Sequence, residues 1–176
     1  FFTAAHFSEA VYYRIFISKI LTGYDKVLYI DSDLVVTEDI ANLYHEDIKG
    51  KALGAVVDTE IIRMYHNDVN ITAYVDKTLG LRTPTCYFNS GVLIMSLEKI
   101  RTYDLEERFI AIMSRIKSPY MVDQDILNVI FEGDVYFLDG AWNYEYHLPI
   151  WSPNYTDQLP FETLAVYQKS RENAKI

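Results

Sequence analysis

Short apolar runs that end in an acidic residue recur along this chain and alternate with segments of helical spacing. Residues 27–30 lead into Asp31, and residues 52–57 lead into Asp58. Between such runs, apolar residues recur every three or four positions, which is typical of helices that cover a sheet. This alternation predicts an α/β fold with a mainly parallel sheet and flanking helices.

The remaining segments complete this prediction. Helical periodicity with polar, glycine or proline residues at the ends occurs over residues 8–22, 61–81 (in pieces), 97–117 and 123–132. Further strands are predicted at residues 92–95, where Asn89-Ser90-Gly91 interrupts the strand-like pattern, and at residues 135–138. Residues 139–160 are predicted as an aromatic loop, and residues 173–176 as the approach to another strand.

Size and charge limit the possible functions. The chain has 176 residues, so we expect one domain over residues 1–176. Its formal net charge of −9 disfavours binding to nucleic acid and to anionic membrane surfaces. Cys86 is the only cysteine, which excludes an internal disulfide and favours a reducing compartment. No segment is long and apolar enough to span a bilayer, so we expect a cytoplasmic protein.

The run at residues 27–30 ends in two carboxylates, Asp31 and Asp33, which are one residue apart. In open α/β sheets, ligands bind beyond the carboxyl ends of the strands. If the chain is extended there, residues i and i+2 point the same way, and both carboxylates face one point. Hard oxygen donors of this kind suit Mg²⁺ or Mn²⁺.

Two other interpretations of Asp31-Ser32-Asp33 stay open on these residues alone. Such triplets are common in turns, where they bond their own backbone or cap a helix. With Val35, the triplet also fits phosphatases of the haloacid dehalogenase type, in which the first aspartate is the nucleophile. Gly133-Asp134 loosely matches the glycine-aspartate pair of those phosphatases, but it precedes a predicted strand instead of following one. The phosphatase is therefore the minor alternative.

Four segments in a fixed order carry a resemblance to a known family. They are Tyr12-Tyr13-Arg14, Leu28-Tyr29-Ile30-Asp31-Ser32-Asp33, Tyr87-Phe88-Asn89-Ser90-Gly91-Val92-Leu93 and Asp123-Gln124-Asp125-x-Leu127-Asn128, followed by Phe137-Leu138-Asp139 and Trp142-Asn143. Together they resemble glycosyltransferase family 8, which includes bacterial lipopolysaccharide galactosyl- and glucosyltransferases and glycogenin. The resemblance implies a GT-A fold, a UDP-glucose or UDP-galactose donor, Mn²⁺ (or Mg²⁺) dependence and retention of anomeric configuration.

The resemblance also implies roles for the residues near the donor diphosphate. Asp31 and Asp33 would hold the metal that bridges the pyrophosphate, and Ser32 would lie against ribose or phosphate. Arg14 would contact donor phosphate or sugar. From sequence alone, Arg14 is about equally well explained as a surface arginine of a helix.

Around the donor sugar, the resemblance places Asn89, Ser90 and Gly91, for which the alternative is a β-bulge without a ligand. Asp58 would lie near donor and acceptor, although an aspartate after a strand is often only a helix cap.

Asp123 and Gln124 match the pair at the reactive face of the sugar, and the alternative for Asp123 is again a cap. Because an amide is a poor nucleophile, we do not favour double displacement through an enzyme-bound sugar. We favour attack by the acceptor on the anomeric carbon from the same face that the diphosphate leaves.

Two family elements are missing from the sequence. The first nucleotide-binding strand would precede Phe1, and the metal-binding histidine of a His-x-x-Gly-x-x-Lys-Pro-Trp segment would follow Ile176. We therefore expect a chain that is incomplete at both ends, and any peripheral attachment to the inner membrane face would come from the missing parts. The implied partners are a nucleotide-sugar donor and a saccharide or glycolipid acceptor. A nucleotide-sugar-binding relative without activity is the alternative function.

Overall fold

The computed structural model describes residues 9–146 and 148–176, so the predicted helix start at Ser8 lies outside the described residues. The strands are β1 (Lys26–Ile30), β2 (Leu53–Val57), β3 (Phe88–Ser96) and β4 (Val135–Phe137). They form one sheet in the order β1-β3-β2-β4. The predicted strands before Asp31 and Asp58, and the one after Asp134, are confirmed.

The direction of β3 corrects the prediction of a mainly parallel sheet. β1 and β2 each pair antiparallel with β3, whereas β2 and β4 pair in parallel, so the sheet is mixed. Val57 at the end of β2 pairs with Phe88 at the start of β3. The helical segment between them therefore returns the chain to the end of the sheet that it left, whereas a parallel pairing needs a crossover to the other end.

The helices flank the sheet as predicted. The α-helices are α1 (Ile17–Ile20), α2 (Ile40–Tyr44), α3 (Thr59–Asn67), α4 (Val69–Ala73), α5 (Leu97–Ile100), α6 (Leu105–Arg115), α7 (Asp123–Ile130), α8 (Leu148–Trp151) and α9 (Phe161–Glu172). Glu9–Phe16, Pro84–Cys86, Gly140–Asn143 and Thr156–Gln158 are 3₁₀ helices, and Tyr74–Leu79 is a π-helix. Within the described ranges, no helix combines the length and apolar character needed to cross a bilayer.

Two segments differ from the sequence prediction. The helix predicted over residues 97–117 is two helices, because Asp104 starts α6 by accepting a hydrogen bond from the backbone N–H of Glu107. Helix α9 follows a predicted loop and was not foreseen. At residues 173–176, which are predicted as the approach to another strand, the N–H of Lys175 donates to the carbonyl of Ala141.

Strand β3 is buried on both faces. Leu93 and Met95 belong to the larger core, whereas Val92 and Ile94 pack on the other face with Trp142. Successive side chains of a strand point to opposite faces, so a continuous apolar run is the pattern of a strand covered on both sides. In contrast, β1 at an edge of the described sheet is only half-buried, although the sequence suggested a buried strand.

Part of β3 leaves the ladder with β2. Ala55 pairs with Leu93, but the next residue of β2 pairs with Asn89, so three residues of β3 have no partner there. The interruption predicted in this segment is confirmed as a β-bulge. Beside it, the carbonyl of Gly91 accepts a hydrogen bond of 2.9 Å from the backbone N–H of Asp31, at the end of β1.

Helix α7 begins after a strained residue. Val122 has φ 52° and ψ −116°, a conformation that suits glycine and that β-branched residues rarely adopt. Its side chain is buried in the core. Asp123 is the first residue of the helix and does not cap it, so the capping alternative for Asp123 is wrong.

Replacement of Val122 should reveal this strain. In the middle of a helix or strand, a protein with glycine is less stable than the same protein with alanine by about 0.5–1 kcal/mol. At position 122, the positive φ costs alanine about 1–2 kcal/mol and costs glycine almost nothing, so the glycine variant should be the more stable one. We expect Val122→Gly to be more stable than Val122→Ala in urea unfolding followed by circular dichroism.

The matched pair for this experiment is Val129→Ala and Val129→Gly. Val129 lies within α7, where the alanine variant should be the more stable protein. The same order at both positions would mean that the backbone of Val122 carries no energetic cost.

Candidate active site

A cleft of about 360 Å³ opens beyond the end of β1. Asp31 and Asp33 both line it, as the sequence predicted for a ligand site at this end of the sheet. The other lining residues come from the β3 bulge and from the segments after β1 and β4: Leu34, Asn89, Gly91, Asn143, Tyr144, Glu145, Tyr146 and Trp151.

Asp31 is held from one side. The Tyr29 hydroxyl donates to its Oδ1 at 2.7 Å, and Nη2 of Arg14 lies 3.2 Å from the same oxygen. Its Oδ2 faces Gly91, where a Cβ atom would lie only 3.3 Å away. Tyr29 has no role in the sequence prediction, although its position two residues before Asp31 on a strand is a usable signal.

Arg14 lies between two carboxylates. Its Nε is 2.9 Å from Oδ2 of Asp123, an ion pair without hydrogen-bond alignment, and its Nη2 pairs with Asp31. Nη1 donates to the backbone carbonyl of Ser90 at 2.9 Å, and the guanidinium covers the Tyr29 ring at 4.4 Å from its centroid. Only 10% of the side chain is exposed, so Arg14 is not a surface arginine.

Gln124 is bonded at both ends of its amide. Oε1 accepts a hydrogen bond of 2.8 Å from the backbone N–H of Ser90, and Nε2 donates to Oδ2 of Asp58 at 2.9 Å. Asp58 also accepts from the N–H of Ile61 and caps α3, so its capping role is confirmed together with its contact to Gln124. Burial raises the pKa of Asp58.

Asn89 joins the bulge to two acids. Its Nδ2 donates to Asp58 and to Oε1 of Glu145, each at 3.4 Å. Its Oδ1 accepts from the N–H of Gly91 and from Nδ2 of Asn143, each at 2.8 Å. No signal in the sequence pointed to Glu145.

Asp125 fixes the start of α7. The hydroxyls of Tyr74 and Tyr87 each donate to its carboxylate at 2.6 Å. Because Asp123 and Gln124 lie on the same turn, these bonds fix the backbone that carries both residues. Asp125 has no role in the sequence prediction, because both tyrosines are distant from it in sequence.

Most of the predicted site residues form one closed ring of contacts. Its members, in order of contact, are Arg14, Ser90, Gln124, Asp58, Asn89, Gly91 and Asp31, and Asp123 joins it through Arg14. Asp33 shares the cleft with this ring. Ser32 is exposed and is not among the residues that line the cleft.

The residues of the phosphatase interpretation lie apart. Asp134 pairs with Lys99 at 2.7 Å, accepts a hydrogen bond from the Tyr103 hydroxyl, and does not line the cleft of Asp31. The glycine-aspartate pair therefore cannot complete a site with Asp31.

The electrostatics of the ring centre on Asp123. Burial raises its pKa to about 6, and the positive charge of Arg14 opposes this rise. The negative charge of Asp31 acts in the same direction as burial. The proton occupancy of Asp123 therefore depends on the position of Arg14.

The acid pair fits a hard divalent cation. Magnesium in proteins is commonly held by one or two carboxylates together with substrate phosphates, and Asp31 and Asp33 line one cleft. Among residues 9–146 and 148–176, no group of three or more His, Cys, Asp or Glu side chains is placed to hold a metal ion.

The mixed sheet, its helical layers and the cleft at the end of β1 define a GT-A glycosyltransferase fold. The structure superposes on the bifunctional glycosyltransferase WbbM with a TM-score of 0.81, at 28% identity over 98% of this chain and 32% of that protein. It also superposes on galactosyltransferase LgtC, solved with donor and acceptor sugar analogues, with a TM-score of 0.72 at 26% identity, over 89% of this chain and 56% of LgtC.

The chain belongs to glycosyltransferase family 8, whose sequence profile matches residues 2–167. It is 31% identical to glycosyltransferase GlyF of Streptococcus pneumoniae over 81% of the chain, and 31% identical to a lipopolysaccharide 1,2-glucosyltransferase of Escherichia coli over 77%. It spans 31% and 38% of the lengths of these two relatives.

Removal of the Arg14 charge should raise the pKa of Asp123 above about 6. We expect Arg14→Gln to shift the ¹³C carboxyl titration of Asp123 to higher pH, with Asp123→Asn used to assign the resonance. Because the native carboxyl keeps its proton to a higher pH than the unfolded one, Asp123 lowers the free energy of unfolding as the pH rises from about 4 to 6. Asp123→Asn should remove that part of the pH dependence.

Arg82→Gln is the matched control, since Arg82 is exposed and pairs with Glu132. It should leave the Asp123 titration unchanged. An unchanged or lower pKa of Asp123 in Arg14→Gln would contradict the role of this ion pair.

Proposed function

We propose that this chain forms the donor-binding domain of a metal-dependent retaining glycosyltransferase. It would move a hexose, glucose or galactose, from a UDP-sugar to a saccharide or glycolipid acceptor. The observation that carries this proposal is the ring of contacts that joins Asp31 to Arg14 and Gln124 beside the cleft. The E. coli relative named as a lipopolysaccharide glucosyltransferase and the donor and acceptor analogues bound to LgtC support this choice.

Asp31 and Asp33 would hold Mn²⁺ or Mg²⁺, and Ser32 would lie at the ribose or phosphate. Such an ion, when bound, stabilises the negative charge that develops on the departing diphosphate. Oδ1 of Asp31 accepts from the Tyr29 hydroxyl and pairs with Arg14, whereas Oδ2 lies on the side of Gly91.

Arg14 would contact donor phosphate or sugar and also position the two acids. Its guanidinium places a fixed positive charge next to Asp31. There it would stabilise the negative charge that develops on the leaving group. It is held by Ser90 and Asp123, so little reorganisation is needed when charge develops.

The bulge would receive the donor sugar. A Cβ atom on Gly91 would lie 3.1 Å from Oδ1 of Asn89 and 3.3 Å from Oδ2 of Asp31, so a larger residue would crowd both. Glycine thereby keeps the backbone accessible to a ligand. Asn89 and Ser90 would bind sugar hydroxyls, and Asp58 would hold Gln124 toward them.

Gln124 is a poor candidate for a covalent nucleophile. Both ends of its amide are bonded within the protein, and an amide is weakly nucleophilic in any case. Asp123 is engaged by Arg14. We therefore propose attack from the face of departure through an oxocarbenium-like state, with the departing phosphate accepting the acceptor's proton.

Substitution of the acid pair tests the metal-dependent reaction. Asp31→Asn and Asp33→Asn should each lower Mn²⁺-dependent release of UDP from UDP-glucose or UDP-galactose by about 100-fold or more, because they weaken the site that stabilises the leaving group. UDP release is measured on the full-length protein, with and without Mn²⁺.

The control for these variants is Asp25→Asn, an exposed acid just before β1, which should behave like the wild type. UDP release that does not depend on Mn²⁺, or that is unchanged in Asp31→Asn, counts against the proposal. Mn²⁺-dependent binding of a UDP-sugar without any release would instead identify a binding relative that lacks activity.

The proposed stereochemical course has a separate test. Incubation with donor alone, followed by intact-protein and peptide mass spectrometry, should show no sugar attached to Asp123 or Gln124. The reason is that neither side chain is free to act as a nucleophile. A stable adduct on either residue would replace same-face attack with double displacement.

A further inference from the structure

Glu145 is an acid in the cleft that takes no part in the proposed metal site or in the contact ring. It lies on the segment that follows the 3₁₀ helix Gly140–Asn143, and it lines the same cleft as Asp31, Asp33 and Gly91. It therefore faces the space in which the proposed donor would lie.

The contacts of Glu145 connect it with the proposed sugar-binding residues. Asn89 donates through one nitrogen to Glu145 and to Asp58, at 3.4 Å in each case. The other end of the Asn89 amide is fixed by Gly91 and Asn143 at 2.8 Å. Glu145 thus belongs to the same hydrogen-bonded cluster as Asp58, but its own hydrogen bond to Asn89 is long and weak.

The charge around Glu145 selects the kind of group that it can bind. No ion pair of Glu145 occurs among the described residues, and the nearby acids Asp58 and Glu60 have the same sign. Burial, together with these charges, raises the pKa of Glu145 well above its ordinary range. A phosphate would be repelled here, whereas a hydroxyl can both donate to and accept from a carboxyl group.

We propose that Glu145 binds a hydroxyl of the transferred hexose and thereby contributes to the choice of donor sugar. This inference rests on the proposed function, and it adds a sugar contact that neither the sequence motifs nor the contact ring contains. A carboxyl with spare hydrogen-bonding capacity, next to Asn89 at the wall of a cleft, is placed to make such a contact.

Donors that each lack one hexose hydroxyl test this contact. With the preferred UDP-hexose, Glu145→Ala should lower kcat/KM for UDP release by roughly 10- to 100-fold, the usual effect of losing a hydrogen bond to a buried polar group. With the one deoxy donor that lacks the bound hydroxyl, Glu145→Ala and the wild type should be equal. Glu145→Gln, which still donates and accepts, should stay within about threefold of the wild type.

Glu98→Ala is the matched control, because Glu98 is an exposed acid in the first turn of α5. If thermal unfolding shows that Glu145→Ala does not fold, Glu145→Met takes its place, since it keeps the side-chain volume without hydrogen-bonding groups.

Each outcome has one meaning. If Glu145→Ala lowers kcat/KM equally with every deoxy donor, or does not lower it at all, the assignment of Glu145 is overturned and the proposed function stays intact. If the wild type releases no UDP from any donor, the proposed function itself fails.

Discussion

The arrangement of the site depends on one buried guanidinium. Arg14 separates Asp31 from Asp123, two acids of which the first raises the pKa of the second. Without this positive charge, two carboxylates of like sign would share a partly buried space, which is strongly unfavourable. Loss of one partner from a buried ion pair commonly costs about 3–5 kcal/mol, because the remaining charge stays uncompensated. Arg14 is therefore a structural requirement for placing the two acids at the same site, and its charge favours the ionised form of Asp123.

The β3 bulge makes the backbone of Ser90 available to the side chains of the site. A regular strand would direct its backbone groups into the ladder with β2, where no ligand or side chain could reach them. In the bulge, the carbonyl of Ser90 accepts from Arg14 and its N–H donates to Gln124. One irregular turn of backbone thus holds both the positive charge and the amide in place, and the neighbouring glycine leaves room beside Asp31.

Local sequence pattern predicts part of this arrangement, but it does not predict contacts between segments that are distant along the chain. Asp31, Asp58 and Asp123 follow or begin regular elements, so local pattern places them correctly. The direction of β3 was missed, since it depends on the end of the sheet to which the chain returns. Glu145 was missed because Asn89, its hydrogen-bond partner within the described ranges, is far away in sequence, and because its segment has no regular pattern. Motif order identified the family, but the contacts among the motifs are a property of the fold.

The contact ring joins segments that are far apart along the chain, and this has a consequence for folding. Arg14 and Ser90 are 76 residues apart, and Asp58 and Gln124 are 66 residues apart. Contacts of such separation are entropically expensive to close and form late in folding. The ring can close only after β1, β3 and α7 have met. A ligand that binds only the closed ring would therefore add its binding free energy to the free energy of unfolding, and it would lower the population that opens during heating or proteolysis.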